Sequence, residues 1–129
     1  MNAPPRIMAT PAAVAVMRDL AAIHGPLMFH QSGGCCDGSA PMCYPAGEFR
    51  TGGQDILMGH VGDDIPVWIG AAQFAYWRHT QVTIDVVPGR GAGFSLEGPT
   101  GRRFIIRSRV FTDAEADALE AAGEPRRGG

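Results

Sequence analysis

Three cysteines lie close together between residues 35 and 43 of this chain of 129 residues. A thiolate is the form of cysteine that acts as a nucleophile, and it is also a soft ligand for zinc, copper(I) and iron–sulfur clusters. Glycines beside the first two cysteines allow the backbone to bend closely around a small group, with amide N–H groups directed at sulfur. This pattern predicts a site of specialised thiol chemistry. The cysteines are Cys35, Cys36 and Cys43, and the flanking residues predicted to line the site are Gly33, Gly34, Asp37 and Gly38.

A metal ion is the first group that this segment could hold. His30 comes just before the cysteines, and His60 lies on a later predicted strand. Three cysteines and one histidine would complete a tetrahedral set of ligands. The spacing differs from that of a zinc finger because it contains no Cys-x-x-Cys pair. The ligands predicted for a zinc or iron ion, or for an iron–sulfur cluster, are therefore Cys35, Cys36, Cys43, His30 and His60.

A thiol site without metal is the alternative. In that interpretation Cys36 is a nucleophile of low pKa, His30 is its base and Cys43 is a resolving thiol. The adjacent Cys35 and Cys36 could also close a strained disulfide, which would be readily reduced. Cys43 stands between Met42 and Tyr44, a setting equally typical of a buried apolar thiol. The residues alone leave open whether the protein is an enzyme.

The elements before the cysteines are a helix and a strand. Thr10-Pro11 is typical of a helix start, and the apolar spacing continues to His24 before Gly25-Pro26. Leu27–His30 is predicted to be a buried strand, and a loop is expected from there to about Pro45. Residues 1–9 and 123–129 are expected to be loosely ordered tails.

The elements after the cysteines are mostly strands. The segments 55–61 and 65–69 predict a β-hairpin, and 71–77 predicts a short helix. Residues 81–87 alternate as in a half-buried strand, and residues 94–96 are expected to pair with a strand at 103–110. A capping box at Thr112 opens a final helix that ends near Ala122. We therefore predict a single α+β domain over residues 1–129, mainly an antiparallel sheet or sandwich with an N-terminal and a C-terminal helix.

Composition excludes several classes of function. The net charge of −2 is not that of a general nucleic-acid-binding protein. The chain contains no lysine, which excludes Schiff-base chemistry and a P-loop lysine. No apolar run is long enough to cross a bilayer, and the N-terminus lacks a secretory signal. These features predict a cytoplasmic protein that binds neither nucleic acid nor membrane.

The run from His30 to Asp37, His-Gln-Ser-Gly-Gly-Cys-Cys-Asp, continues through Gly38 to Pro41-Met42-Cys43. This motif resembles the hallmark of a bacterial family, domain of unknown function 779, and the resemblance covers nearly the whole chain. Genes of that family often neighbour aldehyde dehydrogenase genes. The resemblance therefore implies an accessory protein with an aldehyde dehydrogenase as its partner.

A second, more distant resemblance is to the A-type iron–sulfur carriers of the HesB-like fold. Residues 33–38 occupy the place of the carriers' Gly-Gly-Gly-Cys-Ser-Gly loop, so that Cys36 matches their first ligand cysteine, and residues 91–94 match their Gly-x-Gly-Phe. The carriers also have a Cys-Gly-Cys near the C-terminus, whereas residues 99–111 here contain no cysteine. The resemblance implies a HesB-like fold in which Cys35, Cys43 or a histidine replaces the absent ligands.

Because a sheet with exposed edges can pair with a second copy, a homodimer is also expected.

Overall fold

The computed structural model describes residues 4–31, 41–47, 51–89, 95–123 and 125. Within these ranges the chain forms seven strands and three α-helices. In chain order they are β1 (Ile7–Ala9), α1 (Pro11–His24), β2 (Leu27–Gln31), β3 (Met42–Pro45), β4 (Asp55–Val61), β5 (Ile65–Gly70), α2 (Ala71–Trp77), β6 (Thr80–Pro88), β7 (Arg102–Val110) and α3 (Asp113–Ala122).

The strands form two sheets that face each other. One sheet has the order β1-β6-β7 and the other has the order β3-β2-β5-β4. The prediction of an α+β domain with terminal helices is confirmed. Both sheets are mixed rather than purely antiparallel, because β1 runs parallel to β6 and β2 runs parallel to β5. No helix in the described part of the chain is long and apolar enough to span a membrane.

The hydrophobic core lies between the two sheets and is covered by α1. Strand residues alternate between buried and half-buried along β5, as expected when one face of a sheet packs against a core. Phe29 of β2 and Phe104 of β7 meet edge to face across the core, with ring centroids 5.0 Å apart. Helix α1 begins where the Thr10 side chain accepts a hydrogen bond from the N–H of Ala13, and it buries Met17 and Leu20 against the same core.

The two sheets approach each other closely at one pair of edges, where β1 lies beside β4. Gly59 of β4 has a φ of +148°, and a Cβ atom added there would lie 2.9 Å from Ile7 Cγ2. A β-bulge between Leu57 and Gly59 bends β4 at this point. Glycine is required because both the backbone conformation and the space exclude a side chain.

The opposite pair of edges, β3 and β7, is joined by residues 95–97, which we call the 95–97 bridge. The Ser95 hydroxyl accepts the N–H of Cys43 in β3 (2.8 Å) and donates to Glu97 Oε1, while Glu97 Oε2 accepts the N–H of Phe104 in β7 (3.1 Å). The N–H of Leu96 also donates to the Cys43 carbonyl (3.0 Å). The side chains of the bridge therefore accept hydrogen bonds from one backbone N–H group of each edge strand, β3 and β7.

Three parts of the chain differ from the expectation. Ile7–Ala9 is a strand because it pairs with β6, although residues 1–9 read as a loose arm. Met42–Pro45 is a strand because it pairs with β2, although a loop was expected to Pro45. The predicted pairing of residues 94–96 with β7 is wrong for Ser95 and Leu96, which form a bend and a turn; the N–H of Leu96 donates to the Cys43 carbonyl of β3 instead.

Candidate functional site

A histidine–aspartate pair lies on the outer face of the four-stranded sheet. His30 of β2 and Asp55 of β4 meet across β5, with 2.7 Å between His30 Nε2 and Asp55 Oδ1. The His30 side chain is 5% exposed and that of Asp55 is 16% exposed. The carboxylate is held from its other side, because Gly52 N–H donates to Asp55 Oδ2 at 2.9 Å. The pair is thus a fixed, nearly buried arrangement.

The charge of Asp55 determines which tautomer His30 adopts. Burial by itself raises the pKa of Asp55, but the hydrogen bonds from His30 and Gly52, together with the charge of His30, outweigh it and lower the pKa below its ordinary value. Asp55 is therefore an acceptor at neutral pH, so Nε2 of His30 donates to it. In the neutral imidazole the hydrogen then lies on Nε2 and the lone pair on Nδ1.

The surroundings of His30 are aromatic and apolar. Met42, His30 and Trp68 are partners across β3, β2 and β5, and Leu57 of β4 continues the same row. Met28 on the same face is buried, whereas Trp68 is half-buried. His30 and Met42 pair directly, and they come one residue before Gln31 and one residue after Pro41, the described residues that flank positions 32–40 with Cys35 and Cys36 in the sequence.

Cys43 lies on the opposite side of this sheet. It pairs with Phe29, so its side chain points into the core while that of the neighbouring residue Met42 points to the His30 face. The thiol is fully buried, and burial, followed by the nearby charge of Glu97, raises its pKa to about 12. Cys43 is therefore a protonated thiol in the core at neutral pH, and the fold does not bring it together with His30.

His60 is exposed on β4, on the same face as His30. Its partner on β5 is Pro66 whereas that of His30 is Trp68, so the two Cα atoms are two strands and two residues apart, about 12 Å. Among the residues that the structure describes, no three His, Cys, Asp or Glu side chains form a group that could hold a metal. The remaining predicted site residues, Cys35, Cys36, Gly33, Gly34, Asp37 and Gly38, lie outside the described residues.

Two carboxylates near the predicted site were not expected from the sequence. Asp55 is 25 residues from His30, and only the strand order β2-β5-β4 brings the two together. Glu97 is fully buried and accepts hydrogen bonds from Ser95 and Phe104. The sequence analysis did not single out Glu97, which directly follows the strand predicted at residues 94–96. The Ser-x-Glu spacing is the local signal that fits a hydroxyl bonded to a carboxylate two residues later.

Comparison with known proteins gives one match. The model of the family described as "Domain of unknown function (DUF779)" matches residues 16–110. The chain belongs to the DUF779 family. The matched range includes the His30–Asp55 pair, the three cysteines and the 95–97 bridge. No curated protein and no solved structure matches the chain, so the resemblance to A-type iron–sulfur carriers stays a prediction.

Proposed function

We propose that this DUF779 protein carries a cysteine nucleophile, Cys36, whose base is His30 and whose orienting carboxylate is Asp55. The observation that carries the proposal is the nearly buried His30–Asp55 hydrogen bond, whose histidine precedes Cys35 and Cys36 by five and six residues in the sequence. Nucleophilic cysteines are activated by a histidine that a third group holds in one orientation. In this proposal His30 is the base and Asp55 is the group that orients it.

The proton transfer follows from the bonding of the pair. Cys36 gives its thiol proton to Nδ1 of His30, which leaves a thiolate and an imidazolium. The Asp55 carboxylate, already bonded to Nε2, stabilises the positive ring. The thiolate can then attack a disulfide, in which case the S–S bond breaks and the second sulfur leaves as a thiolate, or add to an electrophilic carbon, in which case the displaced electron pair takes the proton held by His30. In this proposal Cys43 takes no part, because it is buried in the core and burial raises its pKa to about 12.

Alkylation at graded pH tests the proposal, with each cysteine followed by fragmentation mass spectrometry. We expect Cys36 to react with a midpoint below the ordinary thiol value of about 8.5. The variants His30→Gln and Asp55→Asn should each raise that midpoint by about one pH unit or more, because the imidazolium that stabilises the thiolate is lost or weakened.

Asp85→Asn is the matched control. Asp85 also has a lowered pKa, caused first by a hydrogen bond from Arg107, but it lies on the other sheet. This control should leave the reactivity of Cys36 unchanged. A Cys36 thiol that titrates at its ordinary value, and that is insensitive to His30→Gln, would overturn the proposal.

A metal site is the second candidate, and the same pair favours it. Histidines that bind metals commonly donate their other ring nitrogen to a carboxylate, as His30 does to Asp55. Cys35 and Cys36 would then be the sulfur ligands of a zinc or iron ion or of an iron–sulfur cluster. The protein would act in the cytoplasm as an accessory to a partner enzyme, with an aldehyde dehydrogenase as the proposed partner.

Anaerobic purification with metal analysis and a visible spectrum separates the two candidates. Stoichiometric metal that protects Cys35 and Cys36 from alkylation would support the metal site and contradict the free nucleophile. A colourless, metal-free protein with a reactive Cys36, even after reconstitution with iron and sulfide, would contradict the metal site.

A further inference from the structure

Trp68 of β5 lies next to His30 on the outer face of the four-stranded sheet. Its Cα partners are His30 on β2 and Leu57 on β4, so the three side chains form one row across the sheet. Trp68 is half-buried, and part of it is therefore accessible to solvent beside the histidine. The cysteine chemistry proposed above uses His30 and Asp55 but assigns nothing to this aromatic ring.

Gly70, two residues further along β5, leaves open space on the same face. It is the Cα partner of Asp55, and like Trp68 it lies on the half-buried side of the strand. A Cβ atom added at Gly70 would meet no described atom within 4 Å, and the φ of −62° is one that any residue adopts. Neither crowding nor backbone conformation therefore requires a glycine here. A glycine of this kind in a strand is typical of a place where a ligand approaches the backbone closely.

The charges on this face favour an uncharged ligand. The four described strands of the sheet contain no arginine, and the chain has no lysine. An anionic group beside Trp68 would therefore be close to the Asp55 carboxylate with no Arg or Lys of these strands to bind it. The Asp55 carboxylate already accepts from His30 and from the Gly52 N–H. A cationic group would be repelled by the imidazolium that forms on His30 during the proposed proton transfer.

We infer that the substrate of the proposed cysteine nucleophile carries an uncharged aromatic ring, which packs against Trp68 and over Gly70. The inference rests on the proposed function, because that function supplies the thiolate that reacts beside His30. Two aromatic rings pack favourably in an offset or edge-to-face arrangement, which strengthens binding about three- to tenfold. The open space at Gly70 lets such a ring reach the backbone of β5.

Four reagents with one leaving group test this preference: iodoacetanilide, N-cyclohexyl iodoacetamide, iodoacetamide and iodoacetate. In each reaction the Cys36 thiolate displaces iodide, so that an S–C bond forms while the C–I bond breaks. The rate at Cys36 is measured by fragmentation mass spectrometry and divided by the rate of the same reagent with the denatured chain. We expect the normalised rate of iodoacetanilide to exceed those of the two other amides about three- to tenfold, and that of iodoacetate to be the lowest.

Variants at the two positions test where the ring lies. Trp68→Ala should remove the preference for iodoacetanilide over N-cyclohexyl iodoacetamide, whereas Trp68→Phe should keep most of it. Gly70→Val should lower the rate of iodoacetanilide several-fold relative to that of iodoacetamide, because a stiff side chain fills the open space. Val110→Ala is the control, since Val110 is an exposed apolar residue of the other sheet, and it should change no rate.

Acetanilide, which has no leaving group, tests the ring site without the cysteine. In an NMR titration the indole N–H signal of Trp68 should shift saturably, with a Kd on the order of 1 mM, while that of Trp77 in the core should not move. Saturable shifts together with a Cys36 thiol of ordinary pKa would support the ring site and contradict the cysteine nucleophile. An activated Cys36 that reacts equally fast with iodoacetanilide and N-cyclohexyl iodoacetamide, or a Trp68 signal that does not respond, would overturn the inference and leave the nucleophile supported.

Discussion

The side of a strand on which a residue lies sets the chemistry of that residue here. Met42 and Cys43 are neighbours in β3, yet Met42 is on the His30 face and Cys43 is in the core. Burial beside Glu97 raises the pKa of Cys43 to about 12, so its thiol is neutral at any physiological pH. Cys43 therefore lies away from the His30 face, although the sequence groups it with Cys35 and Cys36.

We predict that Cys43 resists alkylation at pH 8 in the folded protein and reacts after denaturation. Because its pKa is raised from 9.0, the neutral thiol favours the folded state below pH 9, and this contribution is lost as the pH rises toward 12. The measurement is the Tm of the wild type and of Cys43→Ala between pH 8 and pH 11.

The Cys43→Ala variant should be less stable by about 1–2 kcal/mol at pH 8, because it leaves a small cavity in the core. Its Tm should also fall less steeply with pH than that of the wild type. Rapid alkylation of Cys43 in the folded protein, or identical pH slopes for the two proteins, would contradict this assignment.

Among the elements, the contact of β1 with β4 depends most on a single residue. Gly59 combines a φ of +148° with a position where a Cβ atom would lie 2.9 Å from the branched side chain of Ile7. Ile7 is itself buried, so it has little room to move away. The two edges can approach this closely only without a side chain at position 59.

We predict that Gly59→Ala lowers the free energy of unfolding by about 1–3 kcal/mol, through backbone strain and the clash with Ile7. Gly70→Ala is the control, because a Cβ atom there meets nothing within 4 Å and its φ of −62° is ordinary. Chemical denaturation of both variants measures the difference. Equal stabilities would show that β1 can move away from β4 at little cost.

Helices and strands that are marked by caps, turns or alternating apolar residues in the local sequence were predictable. Thr10-Pro11 correctly predicted the start of α1, and the capping box at Thr112 correctly predicted α3. The alternating and turn patterns located β4, β5 and β6 within one residue at each end. By contrast, β1 and β3 are short strands whose existence depends on partners far away in the sequence. A three-residue strand such as Ile7–Ala9 carries too few residues to show a period.

The site was predictable only in part, for the same reason. His30 could be predicted as a site residue because it precedes the cysteines in the sequence. Asp55 could not be assigned to it, because their contact requires β2 and β4 to flank β5. The side of the sheet on which Cys43 lies depends equally on pairing with Phe29, which local sequence does not specify.

At the scale of the whole molecule, the 95–97 bridge joins the two sheets at the edges farthest from Gly59. Its central group is a fully buried carboxylate, Glu97, that accepts from the Ser95 hydroxyl and the Phe104 amide. Buried polar groups of this kind stabilise a fold only while every partner is present. The bridge also fixes β3 through Cys43, and therefore the strand that pairs with His30.

We predict that Glu97→Ala lowers the free energy of unfolding by about 2–4 kcal/mol, because it leaves the Ser95 hydroxyl and the Phe104 N–H buried without an acceptor. Glu97→Gln should be milder, since one carbonyl oxygen remains as an acceptor. Glu120→Ala, at an exposed position, should change stability by about 0.5 kcal/mol or less. Similar losses for Glu97→Ala and Glu120→Ala would contradict a structural role for the bridge.

The placement of the two tryptophans gives the molecule two separate optical reporters. Trp77 is buried in the core, whereas Trp68 is half-buried in the row that contains His30. Emission from Trp77 should therefore shift to the red only when the chain unfolds. Emission from Trp68, measured in a Trp77→Phe variant, should change when a compound binds beside the His30 imidazole. Ligand binding and unfolding can therefore both be followed by tryptophan fluorescence.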